Sequence, residues 1–446
     1  MTMFAFEGVG VATAMPVVAA SLHGLDAYAW AFSGYVVASL VGMVLAGEWC
    51  DARGPRQPLL AGVALFGLGA LICGAAWSMP ALIGGRFVAG LGGGMGIVTT
   101  YVVLGRAFDS SLRPKAFALL SSAWVLPSIV GPFIAGALTQ HVSWRAVFWL
   151  VLPFVVPPAL LLAPRLGRLG GGSDHDLDTG EVADRSYARR RLRLSLVAAA
   201  GLALMQEGGT RLGRAGIALA VAGAAVLVPS LRRLLPEGTW RLSRGLPSVV
   251  MMRGIMAGAF FAGETFVPLA LQTLRGLSPA HAGLILTAGA LGWAGGSVVQ
   301  GRVHQRWGPV RLLRVGSSCC VVGLATLPLC LVPTLPPYVA TLSWVVAAFG
   351  MGMAFGTLGN QTLLLSSPEE QGENSAALQM CDSVGSVLLV GFAGAVYSGA
   401  LAVGTVGVAT FDVIWTSMAV VMVVAVLASG RVVVRSGGRA TITATA

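Results

Sequence analysis

Charge is what this chain has least of. Acidic and basic residues make up 11% of its 446 residues, against roughly 25% in soluble domains. Such a chain cannot cover an apolar interior with a solvated surface, which excludes a soluble globular fold. Lysine is nearly absent: Lys115 is the sole one, and the other basic residues are arginines. The formal net charge is +11, yet no basic patch alternates with aromatic residues, which excludes a nucleic-acid surface. The six cysteines lie in or beside apolar runs, without C-x-x-C spacing or a histidine cluster. That argues against a disulfide framework or a zinc site. No G-x-x-x-x-G-K-[ST] loop occurs, so neither direct drive by ATP nor a cofactor is expected. The run Asp174-His175-Asp176-Leu177-Asp178, set among glycines and arginines, reads as a solvated linker rather than a metal site.

Apolar sequence is abundant, at 56% of all residues. It falls into stretches of about twenty residues, the length that crosses roughly 30 Å of hydrocarbon as a helix. Spans are expected over about 3–22, 29–49, 57–77, 81–104, 117–139 and 144–164, then about 192–207 and 214–231. A last set follows over about 247–271, 280–301, 310–331, 338–361, 376–399 and 409–428. The expected fold class is therefore all-α integral membrane, with six, two and six helices. The middle pair is the weakest, because 192–207 is short for a full crossing. The organisation expected is an N-terminal six-helix bundle over 1–164, a linker with two extra helices over 165–246, a second bundle over 247–430 and a tail over 431–446.

Arginine sorts to one side of these spans. Arg53, Arg56, Arg106, Arg113, Lys115, the arginines of 185–193, Arg232, Arg233, Arg302, Arg306, Arg311, Arg314 and Arg431 share it. The opposite loops hold Arg211, Arg214 and Arg275. The arginine-rich side is expected to be cytoplasmic and to hold both termini. The start Met-Thr-Met-Phe lacks a positive n-region, so the first apolar run is expected to be kept as a span. The bias to arginine, alanine, glycine and valine fits a GC-rich bacterial genome, and hence a multi-pass protein of the bacterial inner membrane.

Two loops repeat one pattern. Gly47 to Arg56 reads G-E-W-C-D-A-R-G-P-R, and Gly301 to Arg311 reads G-R-V-H-Q-R-W-G-P-V-R. In both, glycines stand seven apart, and the second precedes proline. Each loop follows the second span of a block of six, as expected for two related bundles around a central path.

The first loop resembles the major facilitator signature G-x-x-x-D-R-x-G-R/K, with Gly47, Asp51, Gly54 and Arg56 in register and Ala52-Arg53 where Arg-x is usual. Gly131-Pro132-Phe133-Ile134-Ala135-Gly136 resembles the G-P-x-x-G-G motif of the exporter branch. Arg86 with Gly90 resembles the R-x-x-x-G motif of span 4. Ser143-Trp144-Arg145-Ala146-Val147-Phe148, running on to Pro153, is similar to a stretch of the fourteen-span drug:proton antiporters. On these motifs the chain is identified as a member of that family, of an actinobacterial type. The resemblance implies two six-helix bundles with two added helices, fourteen spans in all, working as a monomer on small molecules and protons in the bilayer. It also implies that Asp51, Arg53 and Arg56 form a gating latch with Gly47 and Gly54, and that Gly131, Pro132 and Gly136 form a hinge.

Ionisable residues inside apolar spans are the main functional candidates, since a charge near the bilayer centre costs about 2.5–3.5 kcal/mol even on lenient scales. Glu7 and Glu264 stand in the first span of each half, and each is followed by a proline, Pro16 or Pro268. A carboxylate that alternates between dry and wet surroundings can take up and release a proton. Glu7 can equally be read as a shallow, solvated carboxylate near the start of its span. Arg86 can pair with an acid or cap its helix, and Asp382 in span 13 is a further proton site. Tyr35, Trp124, Phe260, Phe261, Trp293, Asn360 and Gln361 are candidates to line a cavity, although the aromatics would serve equally in packing. The function expected is proton-coupled export of hydrophobic or amphipathic molecules. Lipid or glycolipid export is the alternative within transport, and a non-transporting sensor or scaffold the alternative outside it.

Overall fold

The computed structural model describes residues 2–107, 127, 130–166, 181–211, 213–366 and 371–433. Trp124, Lys115, the Asp174–Asp178 run and the tail beyond residue 433 lie outside the described residues, as do the side chains of Asp51 and Arg53. The helices, in chain order, are α1 (Thr2–Ser21), α2 (Trp30–Arg53), α3 (Arg56–Ala75), α4 (Met79–Ala107), α5 (130–141), α6 (Trp144–Trp149) and α7 (Leu152–Leu166). They continue with α8 (Glu181–Thr210), α9 (Arg214–Leu234), α10 (Leu246–Arg275), α11 (Pro279–Thr326), α12 (Val339–Leu364), α13 (Gln371–Ala402) and α14 (Val408–Ala428). No strand occurs among the described residues. Nine helical stretches there are long and apolar enough to cross a membrane, with shorter apolar helices over Gly10–Ser21 and Trp144–Pro158. The chain is a multi-pass, all-helical membrane protein.

Three boundaries depart from the sequence reading. First, α8 begins at Glu181 rather than near 192, so it runs through the arginine cluster. A span read from apolar residues stops where the hydrocarbon stops, whereas arginine is a good helix former and continues the helix into the polar region. Second, the expected span over 144–164 is two helices, α6 and α7, parted at Leu150 and Val151 just ahead of Pro153. Proline has no N–H to continue the ladder. Third, the loop expected between 301 and 310 is not a loop. Helix α11 passes through it with a single non-helical residue, Gly308, at φ 67° and ψ 168°.

That residue has a counterpart. Gly54, which separates α2 from α3, adopts φ 77° and ψ 171°. Both glycines precede proline, both occupy a region open essentially to glycine alone, and both stand seven residues after the first glycine of the repeat. The repeat read in the sequence is thus a repeat of backbone conformation.

Small residues let the helices approach closely where hydrocarbon gives no hydrophobic drive for association. Gly90 and Gly94 of α4 meet the α2 backbone at Tyr35 and Ser39, while Gly92 meets α3 at Phe66. In the second half, α10 and α13 touch through Gly254, Gly258 and Gly385. Helices α8 and α9 pack on each other, and α8 also contacts α2 and α13, one from each half.

The two halves meet at the arginine-poor end. Tyr28 Oη donates to the Thr265 carbonyl at 2.9 Å, Gln272 Nε2 to the Thr13 carbonyl at 3.2 Å, and Ser398 Oγ to the Asp26 carbonyl at 2.7 Å. A Cβ on Gly136 would lie 2.6 Å from the Pro279 carbonyl oxygen, and one on Gly283 would strike the Pro132 carbonyl.

Candidate functional site

Glu7 is not the shallow, solvated carboxylate that its place near the start of α1 allows. It is 4% exposed and pairs with Arg86 of α4, itself 3% exposed. Arg86 also donates from Nε to the Ala31 carbonyl at 2.6 Å, and its guanidinium lies 4.6 Å from the centre of the Tyr35 ring. Glu7, Arg86 and Tyr35 therefore form one cluster that ties α1, α2 and α4 together. Glu7 Oε2 is buried with no hydrogen-bond partner among the described residues, so the carboxylate is only half satisfied.

The second half carries an ion pair that the sequence reading missed in part. Asp382 of α13 accepts from Arg253 Nε of α10 at 2.8 Å. Arg253 also approaches the Phe355 carbonyl and Gln379 Oε1, each at 3.4 Å, and stacks over the Phe355 ring at 3.3 Å. A signal for Arg253 was present. It stands eleven residues before Glu264, about three helical turns, so the two share a face of α10 roughly 16 Å apart along the axis.

That face is distinctive. Between Ser248 and Leu271 every residue of α10 is buried except Met251, Arg253, Ile255, Phe261 and Glu264. Helix α10 is packed by α1, α11, α12, α13 and α14, and Arg253, Phe261 and Glu264 form an accessible strip along one side of it. Glu264 has no ion-pair or hydrogen-bond partner among the described residues. An aromatic group extends from the strip. Phe260 stacks on Trp344 at 4.6 Å and meets Phe261 and Trp293 edge-on, both at 5.6 Å, and Trp293 lies 5.0 Å from Phe355. Phe260, Phe261 and Trp293 thus pack in one aromatic group. Gln361 is buried and Asn360 exposed on α12, and neither contacts this group by a hydrogen bond.

The other sequence candidates fall elsewhere. Pro132 of α5 faces Gly283 of α11 across the halves, whereas Gly131 faces Phe6 of α1 in its own half. Gly54 and Arg56 lie at the α2–α3 turn, where Arg56 is exposed, and Gly47 lies inside α2 seven residues before Gly54. Arg145 is structural: it stacks over Trp144 at 4.2 Å and donates to the Ala76 carbonyl at 3.0 Å.

Comparison with known proteins agrees with this architecture. Residues 1–390 match the family described as Major Facilitator Superfamily. The multidrug transporter protein MdtP of Bacillus subtilis is 26% identical over 401 residues, covering 89% of this chain and 73% of that one. A probable multidrug-efflux transporter of Mycobacterium tuberculosis, Rv1634, is 27% identical over 403 residues, covering 86% and 82%. Among solved structures, a POT family transporter in complex with 5-aminolevulinic acid superposes with a TM-score of 0.67 at 15% identity, covering 97% of this chain and 95% of that one. A bacterial homologue of the human lysosomal transporter Spinster, inward-facing and unoccupied, gives 0.63 at 15% identity, covering 96% and 95%. These two likenesses concern the fold alone.

Proposed function

From the premise that the chain belongs to the Major Facilitator Superfamily, and is a transporter rather than an enzyme, we propose that it exports hydrophobic or amphipathic small molecules in exchange for protons. The observation that supports coupling most is Glu264, an acid near the middle of α10 without a partner among the described residues, on the accessible strip between Arg253 and the arginine-poor end. An unpaired carboxylate within a spanning helix is costly unless its charge is used. Deprotonated, it attracts a cationic or polarisable substrate; protonated, it lets that substrate go.

Two accessory pairs frame this step. Glu7–Arg86 and Arg253–Asp382 hold opposite charges in place within the halves, so the path keeps one carboxylate free to titrate. The aromatic group around Phe260 offers apolar surface with few directional demands, which suits recognition of varied molecules. The relatives carry names of multidrug transporters, in keeping with such a site. The contacts at the arginine-poor end would part, and the Asp51, Arg53 and Arg56 turn would latch, as the two halves rock about the site.

In this reading the chain crosses the membrane fourteen times. Helices α6 and α7 form one crossing, α11 forms two about Gly308, and α8 and α9 are the added pair between the bundles of 1–164 and 247–430. The arginine-rich end, with both termini, faces the cytoplasm of a bacterial cell, and the monomer is the working unit. Glu264→Gln tests the coupling: transport driven by a proton gradient should fall at least about tenfold, and a cationic dye should bind more weakly, because the amide stands in for the protonated acid.

A further inference from the structure

The repeated loop differs between the halves in charge. From Gly47 to Arg56 the first copy carries Glu48 and Asp51 with Arg53 and Arg56, two acids for two bases. From Gly301 to Arg314 the second copy carries Arg302, Arg306, Arg311 and Arg314 with no acid, and Gln305 stands where Asp51 does in the first. The copies share a backbone turn at Gly54 and Gly308, so the second keeps the arginines of the design and has lost their internal counter-charge.

The structure shows where those arginines gather. At the kink of α11 a cavity of about 590 Å³ is lined by Arg306, Trp307, Val310, Arg311, Arg314 and Val315. Arg306 and Arg311 have no ion-pair or hydrogen-bond partner among the described residues. Arg314 makes a single long contact, from Nε to Ser429 Oγ at 3.4 Å. All three are exposed, and Trp307 is 37% exposed beside them. On the fourteen-crossing reading proposed above, the site lies at the end of two crossings, at the depth of lipid headgroups, where tryptophan and arginine are favoured.

We infer that this cavity binds the phosphate headgroup of an anionic phospholipid. Guanidinium groups take phosphate oxygens through paired N–H donors, and arginine clusters at the ends of spanning helices on the arginine-rich side attract acidic headgroups. The apolar lining by Val310, Val315 and the Trp307 ring meets the glycerol and first acyl carbons, which a free anion would leave bare. Bound at the Gly308 kink, the lipid supplies from the leaflet the negative charge that Asp51 supplies in the other half.

The test uses the full-length chain purified from membranes and placed in nanodiscs of phosphatidylcholine with or without phosphatidylglycerol. Lipids retained after transfer to detergent are counted by native mass spectrometry. The parental protein should keep phosphatidylglycerol, with affinity falling about five-fold for each of Arg306→Gln, Arg311→Gln and Arg314→Gln. The triple lysine variant, which keeps the charge but loses the paired N–H donors, should bind less than the parental protein and more than the triple glutamine variant. Retention should fall as salt rises. Equal retention by the triple glutamine variant would overturn the inference. So would displacement of the lipid by millimolar inorganic phosphate, which would assign the site to a soluble anion.

Discussion

Arg253 of α10 and Asp382 of α13 form an ion pair at 2.8 Å in the interior of the second half, with side chains 12% and 13% exposed. Removing one partner leaves the other charged in a poorly solvated place, at a cost of roughly 2–5 kcal/mol. Asp382→Asn is therefore expected to lower the thermal midpoint of the purified protein by several degrees. The double variant Arg253→Gln, Asp382→Asn should recover much of that loss, because no unpaired charge remains. A double variant as unstable as the single would show that the pair does not act as a unit.

The two acids first singled out should separate in the same assay. Glu7 is paired with Arg86, so Glu7→Gln strands a buried guanidinium and should melt below the parental protein. Glu264 has no partner among the described residues, so Glu264→Gln removes an isolated acid and should melt at or above the parental temperature. Transport should fail in both. Equal melting shifts would contradict the distinction drawn between them.

The glycines of the repeated turn give a sharper contrast. Gly54 and Gly308 hold φ of 77° and 67°, and alanine at either should cost about 1–3 kcal/mol. Gly47 and Gly301 lie in helical backbone with open space around them, and alanine there should be neutral or stabilise by up to about 1 kcal/mol. Thermal midpoints of the four alanine variants check both halves of the statement.

Gly283 abuts the carbonyl of Pro132 across the junction between the halves. A leucine there overpacks the contact by roughly 1–3 kcal/mol. That shifts the balance between closed and open arginine-poor ends by about 5- to 150-fold. Spin labels at Ser21 and Thr405, on a background without native cysteines, should report a longer distance in Gly283→Leu. An unchanged distance distribution would show that this contact does not hold the end shut.

Much of this was legible because a membrane imposes simple rules. Length and apolarity located α2, α3, α9, α10, α12 and α14 to within a few residues, since hydrocarbon thickness fixes how long a span must be. The glycine spacing at 47–54 and 301–308 gave the repeat, because only glycine tolerates the turn. What the sequence left hidden was pairing. Arg86 could be read as a partner or a cap until the fold brought α4 against α1. Arg253 went unread beside Glu264, although the eleven-residue interval puts them on one face. Its partner Asp382 lies 129 positions away, and only the packing of α10 on α13 joins them. Likewise Asn360 and Gln361 are neighbours in sequence but differ in exposure, a difference set by how α12 is rotated against its neighbours.

The most direct test of proton-coupled export is dye accumulation in everted membrane vesicles with the interior made acid. Vesicles carrying the parental protein should concentrate an amphipathic cationic dye while the gradient lasts and release it when a protonophore is added. Glu264→Gln vesicles should do neither. Accumulation that persists without the gradient, or that proceeds at the parental rate in Glu264→Gln, would contradict the account.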